Sequence, residues 1–430
     1  MRMRHRIGHA ALIIALASGA GWPGALNAHA ESNCAPDGLQ ASGAVYRICM
    51  PAPGAWNGDL VLYAHGYVAF NEPVAIPEDQ LTLGGLSLPE VANQLGFAFA
   101  VTSYRDNGLA VRDGIDDLLD LVEIFSAEHG PPGHVYLVGP SEGGLLTALA
   151  LEQHADVFDG GLSSCGPVGN FRWQINYWGD VRVLFDYFFP HVLPGSPVAI
   201  PTDVIDNWDT VYRPRIATAL RSDPGQLSQL MKVARIPAHP SNGELNVQAV
   251  VDLLWYNVFA TNDGIAKLGG QPYDNTRSYY RGSENDAVLN RRVARFQADS
   301  AAVHEIESHY QTSGRIGNPL VTLHTLGDPI IPYWHEPLYG FKIAVGGQAA
   351  LHTHIPIVLR YGHCNFSVPQ VLLAFVVLVY QVTRHSLLNA EQVLSTAEER
   401  EEYLGLAAAY GLLPSSHNQL YLPLILAAPR

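Results

Sequence analysis

Residues 134–152 read HVYLVGPSEGGLLTALALE, and this stretch decides the fold. Its first part, His134–Val138, is an apolar run of strand length, whereas Glu142–His154 is rich in leucine and alanine and predicts a helix. Between them, Gly139-Pro-Ser141-Glu-Gly143 fits the pattern G-x-S-x-G. The pattern alone is weak in a chain with 40 glycines, but the strand before it and the helix after it make it specific. We therefore expect a sharp strand-to-helix turn that lifts the Ser141 hydroxyl group clear of a β-sheet.

Apolar runs of strand length alternate with helical patterns on both sides of this turn. Before it, strands are predicted over Asp59–Ala64 and Phe97–Ser103, and a helix over Val111–His129. After it, three strands and a closing helix are predicted over Phe158–Ser163, Pro319–Leu326, Ile355–Leu359 and Val368–Thr383. Apolar strands that alternate with helices form parallel sheets covered on both faces. The expected fold class is therefore α/β, with a mostly parallel sheet flanked by helices.

The sheet pattern is interrupted between Gly166 and Gly317, where bulky aromatic residues and Pro/Gly turns are common. Helical patterns recur there, over Val250–Phe259 and Leu289–Tyr310. We interpret this stretch as a large, mainly helical cap inserted into the sheet domain, rather than as a separate domain. The expected segments are a signal peptide (1–30), the first part of the sheet domain (31–165), the cap (166–317), and the second part with a C-terminal tail (318–430).

A serine hydroxyl group is a poor nucleophile unless a base takes its proton. Where a serine stands on such a turn, the acid and the histidine follow later strands, in the order serine, acid, histidine. Asp328 follows the strand at Pro319–Leu326, and His363 follows the strand at Ile355–Leu359. Other candidates do not stand in the first few residues after a strand: His335, Glu336, His352 and His354. We predict Ser141 as nucleophile, His363 as general base and Asp328 as the acid that orients the histidine.

Acyl transfer also needs hydrogen-bond donors for the negatively charged oxygen of the tetrahedral intermediate. One donor is expected to be the backbone N–H of Glu142, directly after the nucleophile. The second is expected in the loop after the first predicted strand, where the sequence reads His65-Gly66-Tyr67. The N–H of Tyr67 is our candidate for it.

These motifs resemble those of secreted esterases and lipases of the α/β-hydrolase superfamily. The HG turn, the Ser141 motif, Asp328 in a Gly-Asp-Pro sequence and His363 after a glycine occur in the same order, over about residues 55–165 and 318–385. The resemblance implies the α/β-hydrolase fold and ester hydrolysis by a Ser-His-Asp triad. It does not extend to the predicted cap.

The chain contains four cysteines, an even number that is compatible with two disulfides in an exported protein. Cys34 and Cys49 lie close together in the irregular N-terminal segment, while Cys165 and Cys364 each follow a strand that should end at the active-site edge of the sheet. We expect one bond within each pair, with buried free thiols as the alternative.

Tannase and feruloyl-esterase relatives have a cysteine directly before the serine and another directly after the histidine. This chain has Cys364 after the histidine but Pro140 before the serine, and so departs from that pattern.

The N-terminus and the composition restrict the location and the partners. Residues 1–30 contain a basic start, an apolar run and the small-residue site Ala28-His29-Ala30, so we expect a signal peptide cleaved near Ala30 and a secreted or periplasmic protein. The formal net charge of −15, without a cluster of Lys or Arg, argues against a nucleic-acid partner. The apolar run Val371–Tyr380 is about half the roughly 20 residues needed to span a bilayer. It predicts a buried helix and no stable membrane insertion.

The predicted reaction is hydrolysis of a carboxylic ester, in a small-molecule or polymeric substrate, by a Ser-His-Asp acyl-enzyme mechanism. No cofactor is expected, and no metal site is indicated, since neither C-x-x-C nor H-E-x-x-H occurs. The aromatic residues of the cap, with Trp178 and Tyr187 as candidates for substrate binding, favour an apolar or aromatic group in the substrate. Packing of these rings within the cap's own core is the alternative interpretation.

Two other functions remain open. An exported aminopeptidase of the proline-releasing type, on the same fold, would need acidic cap residues to hold a substrate amine. Four are available: Glu244, Asp252, Asp263 and Glu284. The other hypothesis is a non-catalytic binding protein on a hydrolase scaffold. The presence of all three triad residue types argues against it.

Overall fold

An eight-stranded, mostly parallel sheet forms the centre of the protein. The computed structural model describes residues 33–387 and 389–412. The strands of this sheet are β1 (Gly38–Leu39), β2 (Val45–Cys49), β3 (Leu60–Tyr63), β6 (Ala98–Thr102), β7 (Val135–Pro140), β8 (Gly160–Ser164), β9 (Leu320–Gly327) and β10 (His352–Tyr361), and a separate hairpin is formed by β4 (Thr82–Leu83) and β5 (Leu86–Ser87). The order across the sheet is β1-β2-β6-β3-β7-β8-β9-β10. The strand pairs β1–β2 and β2–β6 are antiparallel, and the other pairs are parallel. The mostly parallel sheet expected from the sequence is confirmed.

Helices cover both faces of this sheet. The α-helices of the described residues are α1 (Leu88–Gln94), α2 (Val111–His129), α3 (Glu142–Gln153), α4 (Phe171–Phe188), α5 (Thr202–Asp206), α6 (Arg213–Ser222), α7 (Pro224–Ala234), α8 (Gly243–Lys267), α9 (Asp286–Arg292), α10 (Ser300–His309), α11 (His335–Val345), α12 (Val368–Thr383) and α13 (Ala397–Ala409). On β3, Leu60 and Leu62 pack with α2 and α3, whereas Val61 and Tyr63 pack with α1 and α12 on the other face. Because both faces are covered, the strands are apolar throughout rather than alternating.

Seven of these helices, α4 to α10, lie in residues 166–317, which we call the helical insertion. All residues of this stretch are described, and none adds a strand to the eight-stranded sheet. Its helices share an apolar core that includes Phe185, Leu230 and Leu254. The same core takes in Ile330 and Ile331, just after β9. The insertion therefore packs directly on the loop that follows β9.

The single helix predicted over Leu289–Tyr310 is wrong. The chain forms α9 and α10 there, separated by a non-helical stretch over residues 293–299. Within it, the Phe296 carbonyl accepts from the Asn275 N–H (3.1 Å), and the Phe296 N–H donates to the Asn275 side chain (2.8 Å). These tertiary contacts override the apolar spacing, which continues through the stretch.

The apolar run Val371–Tyr380 lies within α12, where residues 372–379 are all buried. This agrees with the buried helix expected from its length. Among the described residues, none of the helices combines the length and the hydrophobicity that crossing a bilayer requires. The predicted signal peptide (1–30) and the end of the tail (413–430) lie outside the described residues.

Glycines are required where β7 turns into α3, because neighbouring backbone passes very close. A Cβ on Gly139 would overlap the backbone of Gly143, and a Cβ on Gly143 would overlap the carbonyl oxygen of Ala64 at the end of β3. Backbone atoms cannot swing aside as a flexible side chain can. The two glycines of the sequence motif therefore allow α3 to begin directly above the sheet.

This close approach predicts opposite effects for two Gly→Ala substitutions in helices. Gly143→Ala should lower the free energy of unfolding by about 1–3 kcal/mol or prevent folding, because the overlap must be relieved by backbone movement. Gly405→Ala in α13, where no atom lies within 4 Å of the new Cβ, should raise it by about 0.5–1 kcal/mol. Urea unfolding measures both. Wild-type stability in Gly143→Ala would contradict the proposed tightness of the turn.

Candidate active site

Ser141 occupies the turn between β7 and α3 in a backbone conformation that residues other than glycine rarely adopt, with φ 56° and ψ −122°. Its N–H donates to the Ser164 carbonyl at the end of β8 (2.8 Å), and its carbonyl accepts from the Gly144 N–H (3.0 Å). Since α3 begins at Glu142, the positive end of the helix dipole lies beside the serine. The strand, turn and helix predicted from residues 134–152 are all present.

The structure brings Ser141, Asp328 and His363 together. Nε2 of His363 lies 2.9 Å from the Ser141 hydroxyl oxygen, and Nδ1 of the same ring lies 2.7 Å from Oδ2 of Asp328. The three residues follow β7, β9 and β10, whose carboxyl ends share one edge of the sheet. The imidazole therefore lies between a hydroxyl group and a carboxylate, the arrangement needed to activate a serine.

The carboxyl group of Asp328 is completely buried and yet kept ionised. Oδ1 accepts the N–H groups of Ile330 (2.8 Å) and Ile331 (3.0 Å). Burial by itself would raise the pKa of Asp328, but the neighbouring imidazoles of His363 and His324 lower it to about 2. The carboxylate is thus available to orient His363 and to stabilise its cation.

The helical insertion also holds the loop after Asp328. From α4, the Gln174 side chain (2.8 Å) and the Trp178 indole N–H (3.2 Å) both donate to the carbonyl oxygen of Ile330. From the same helix, the Tyr177 hydroxyl donates to the carbonyl oxygen of Pro329 (2.6 Å). Three side chains of one helix therefore fix the backbone on which the acid stands.

A second buried imidazole, His324 on β9, lies behind Asp328. Its Nε2 is 3.6 Å from Oδ2 of Asp328 and 2.7 Å from the Ile331 carbonyl oxygen, and its Nδ1 is 3.0 Å from Oε1 of Glu336. Burial disfavours the cation, but the two carboxylates raise the pKa of His324 to about 10. His324 is therefore a buried cation between two buried carboxylates. The sequence does not single it out, because it stands within a strand and not at its end.

The backbone N–H groups of Glu142 and Tyr67 are both available beside Ser141. Neither is hydrogen-bonded to another of the described residues. The Tyr67 loop lies against the serine, since a Cβ on Gly66 would be 3.4 Å from that of Ser141. Gln80 holds this loop, accepting the Gly66 N–H with Oε1 (2.7 Å) and approaching the Tyr67 carbonyl with Nε2 (3.4 Å). No sequence pattern marks Gln80, because its contact is with a loop from another part of the chain.

The side chain of Glu142 is buried next to the nucleophile. Oε1 accepts the N–H of Ala110 (3.1 Å). Burial raises the pKa of Glu142 to about 8, although the Ala110 N–H and the charge of Lys267 act in the opposite direction. The carboxyl group is therefore largely neutral at pH 7 and does not place a full negative charge beside the proposed oxyanion donors.

Two cavities meet at Ser141. The insertion cavity, of about 80 Å³, lies between the serine and helices α4 and α8, and Trp178 lines it. The core cavity, of about 390 Å³, lies between the sheet and helices α1 and α12, and His363 lines it. Tyr67 and Tyr256 line both cavities and so stand between them.

Of the two aromatic residues predicted to bind substrate, Trp178 lines one of the two cavities that meet at Ser141, and Tyr187 does not. The ring of Trp178 stacks on Tyr256, with centroids 5.2 Å apart and planes at 10°. Tyr187 lines neither cavity and packs edge-on against Phe188 (5.1 Å) beside the core of the insertion. It stands nine residues farther along α4, about 13 Å from Trp178 at the usual rise of a helix. The contacts of Tyr187 therefore agree with the alternative interpretation, in which the aromatic rings pack within the insertion.

The structure joins Cys34 to Cys49 and Cys165 to Cys364, the pairing expected from the sequence. The second bond ties the end of β8 to the residue after His363, whose Nε2 lies 3.6 Å from Sγ of Cys364. Within the described part of the chain, Cys165, His363 and Cys364 form the one group of side chains close enough to share a metal ion. Both sulfur atoms belong to the disulfide, so neither is a thiolate that could bind a metal.

The rival histidines have structural contacts. His335 is buried, accepts a backbone N–H of the insertion at Nδ1 (2.9 Å) and lies 2.8 Å from Oε1 of Gln174 at Nε2. Burial lowers its pKa well below the ordinary value. His352 and His354 both contact the Thr322 hydroxyl group, at 3.0 Å and 2.9 Å. None of the three contacts Ser141.

The parallel sheet with helices on both faces, and the serine on a strand-to-helix turn at its carboxyl edge, define the α/β-hydrolase fold. No protein-family model matches the sequence, and no curated protein is similar to it.

Several solved structures are similar to this chain at low sequence identity. An acylaminoacyl peptidase from Pyrococcus horikoshii is 12% identical, with a TM-score of 0.44, over 85% of this chain and 44% of that one. Candida antarctica lipase A in its closed state is 14% identical, with a TM-score of 0.42, over 85% and 84% of the two chains. An esterase from Aspergillus oryzae is 14% identical, with a TM-score of 0.40, over 73% and 69%. The chain spans less than half the length of the acylaminoacyl peptidase, and similarity at this level carries no information about activity.

Removing the buried cation behind Asp328 should affect both stability and the pH profile. The raised pKa of His324 stabilises the fold fully below about pH 6.5, and this stabilisation is lost as the pH rises through about 10. The lowered pKa of Asp328 stabilises the fold above about pH 4, and this is lost as the pH falls towards 2. His324→Gln leaves two buried carboxylates without the cation, so the free energy of unfolding at pH 7 should fall by about 3–5 kcal/mol. At pH 4 the loss should be smaller, because the carboxyl groups of the variant can then take up protons.

The same substitution should move the acidic limb of the activity profile to higher pH, because loss of a positive charge beside the Asp328–His363 pair makes it easier for the pair to take up the proton that blocks His363 as a base. His309→Gln, at a histidine 41% exposed, is the matched control and should change neither quantity. An unchanged acidic limb in folded His324→Gln would show that the cation does not act on Asp328.

The two disulfides should differ in their effect on activity. The bond from Cys165 to Cys364 closes 199 positions, and in the chain-entropy model it contributes on the order of 5 kcal/mol as an upper figure. Replacing both cysteines by alanine should also lower the turnover of the folded protein by about tenfold or more, because His363 is no longer held in place. The matched pair, Cys34→Ala with Cys49→Ala, should lose stability without that loss of turnover. Equal turnover in the two folded variants would exclude a positioning role for the second bond.

Proposed function

We propose that this protein is a secreted serine hydrolase that cleaves carboxylic esters through an acyl-enzyme intermediate. One observation carries the proposal: Ser141, His363 and Asp328 form a continuous hydrogen-bonded series beside two backbone N–H groups that bond to none of the described residues. A base oriented by a buried carboxylate and donors for an oxyanion are the two requirements of serine-catalysed acyl transfer.

In the proposed reaction, Nε2 of His363 takes the proton of Ser141 as the hydroxyl oxygen attacks the ester carbonyl carbon. The N–H groups of Glu142 and Tyr67 stabilise the resulting oxyanion. His363 then gives its proton to the leaving alcohol, and the acyl group stays on Ser141 until water, activated by the same histidine, releases the acid. Asp328 remains ionised throughout and stabilises the imidazolium.

The aminopeptidase alternative receives less support from the site. Neither cavity is lined by the acidic residues considered for binding an amine: Glu244, Asp252, Asp263 and Glu284. Glu244 pairs with Arg221 at the surface, and Asp263 pairs with Lys267. The acid that does line the insertion cavity is Glu142, and its raised pKa favours the neutral form, which attracts an ammonium group weakly.

The location and the partners follow from the same features. Two disulfides fit an oxidising compartment, and a signal peptide over residues 1–30 would deliver the chain there.

We propose that the helical insertion acts as a cap that influences the choice of substrate through Trp178, which touches both a cavity and the Asp328 loop. The proposed substrate is a small-molecule or polymeric ester, with no nucleic-acid partner and no cofactor.

Kinetics on p-nitrophenyl acetate and on aminoacyl p-nitroanilides test the proposal. The ester should be hydrolysed with an initial burst of nitrophenol, and the anilides should not react. Ser141→Ala and His363→Ala should each remove nearly all turnover, and Asp328→Asn should lower the rate by about 10⁴. Ser241→Ala, at an exposed serine, is the control and should retain full activity. Turnover that persists in Ser141→Ala, or anilides that react faster than the ester, would refute the proposal.

A further inference from the structure

The core cavity is suited to an apolar chain. Its walls are side chains of the sheet and of two helices, among them Phe99 on β6, Leu162 on β8, Ala92 on α1 and Phe375 on α12. No Asp, Glu, Lys or Arg among the described residues lines it. Along α12 the lining runs from residue 368 to residue 375, about 10 Å of helix. The cavity therefore extends from the edge of the sheet deep into an apolar layer.

Two polar residues of this cavity, Gln80 and Tyr63, are bonded within the protein. Gln80 bonds to the backbone of the Tyr67 loop and accepts, through its own carbonyl oxygen, from the Tyr63 hydroxyl group (2.9 Å). The Ser164 carbonyl oxygen accepts from the Ser141 N–H. Because an unpaired polar group in such a site would lose its bonds to water, an apolar ligand part is favoured over a polar one.

The position of His363 tells which part of an ester enters which cavity. During ester cleavage the proton carried by Nε2 must reach the oxygen of the leaving alcohol, so the alcohol part lies on the histidine side of the reacting carbon. His363 and Cys364 line the core cavity and do not line the insertion cavity. Of the two proposed oxyanion donors, Glu142 lines the insertion cavity alone, and Tyr67 lines both cavities. The alcohol therefore faces the core cavity, and the acyl group faces the insertion cavity.

The volumes of the two cavities also differ, and the cavity assigned to the alcohol is the larger one. At roughly 30 Å³ per water-sized group, 390 Å³ accommodates on the order of ten heavy atoms, and 80 Å³ accommodates on the order of three. The aromatic rings of Tyr67 and Tyr256, 5.8 Å apart, stand between the two spaces. A long chain is accommodated on the alcohol side and a short one on the acyl side.

We propose that the core cavity binds the alcohol part of the substrate, and that the preferred substrates are esters of a short carboxylic acid with a long, apolar alcohol. The inference rests on the proposed function, since it assigns the two parts of an ester to two sides of Ser141. In the step concerned, the bond from the Ser141 oxygen to the acyl carbon forms and the bond from that carbon to the alkoxy oxygen breaks. The proton passes from Ser141 through His363 to the alcohol, which is released into the core cavity.

Two isomeric esters test this inference without a difference in composition. Decyl acetate carries the long chain on the alcohol side, and ethyl decanoate carries it on the acyl side. Acid release by the full chain should give a kcat/KM for decyl acetate that exceeds that for ethyl decanoate by about tenfold or more. Equal values, or a preference for ethyl decanoate, would overturn the inference while Ser141-dependent hydrolysis of p-nitrophenyl acetate still supports the proposed function. Absence of all ester hydrolysis would overturn both.

Variants separate the two cavities. Ala92→Leu narrows the core cavity and should lower the ratio of kcat/KM for decyl acetate to that for ethyl acetate by about tenfold. Ala260→Leu narrows the insertion cavity and should instead lower the ratio of kcat/KM for ethyl butanoate to that for ethyl acetate. Ala409→Leu, at an exposed position of α13, is the control and should leave both ratios as in the wild type.

Inhibition gives a readout that does not depend on turning over a long ester. Decan-1-ol should inhibit the hydrolysis of p-nitrophenyl acetate by the wild-type protein, and more weakly in Ala92→Leu. Should that variant fail to fold, Val371→Phe narrows the cavity from α12 and serves the same comparison. Equal inhibition by decan-1-ol in the wild type and a folded narrowed variant would overturn the assignment of the alcohol to the core cavity.

Discussion

The hydrogen bond between Nδ1 of His363 and the buried carboxylate of Asp328 is the interaction on which the rest of the site depends. A carboxylate without exposed surface is costly, and here two backbone N–H groups and the His324 cation offset that cost. Glu336 in turn holds His324, and α4 of the helical insertion clamps the loop that carries the acid. The polar groups behind the triad therefore form one supported network and not a set of separate contacts.

The sheet and the helical insertion contribute different parts of the site. The sheet positions the reacting groups, because three parallel strands end at the same edge and glycines let β7, β3 and α3 approach closely. The insertion supplies Trp178 and Tyr256, fixes the Asp328 loop, and through the backbone of Phe259 accepts a hydrogen bond from the Tyr67 hydroxyl (3.0 Å). Changes in the insertion can thus disturb the acid and the proposed oxyanion loop as well as the substrate choice that we propose for it, so kinetic effects there need stability controls.

Much of this arrangement could be predicted from the sequence, because strand ends in a parallel sheet converge whatever lies between them. Strand ends alone place Ser141, Asp328 and His363 together and pair Cys165 with Cys364. They do not indicate His324 or Gln80, whose contacts depend on three-dimensional packing and not on a position after a strand. Aromatic composition likewise does not distinguish Trp178, which lines a cavity at Ser141, from Tyr187, which is half-buried beside the core of the insertion. The predicted helix over 289–310 failed for the same reason, since the pairing of Phe296 with Asn275 is a distant contact.

If Ser141 is the nucleophile, it is the residue that becomes covalently modified during turnover. A fluorophosphonate reacts with an activated serine, so peptide mapping by mass spectrometry after incubation of the full chain locates the reactive side chain directly. We expect one adduct per chain, on Ser141, and none in His363→Ala within the same time, because the hydroxyl group then lacks its base. An adduct on another residue, or hydrolysis of an ester by a preparation that shows no adduct on Ser141, would contradict it.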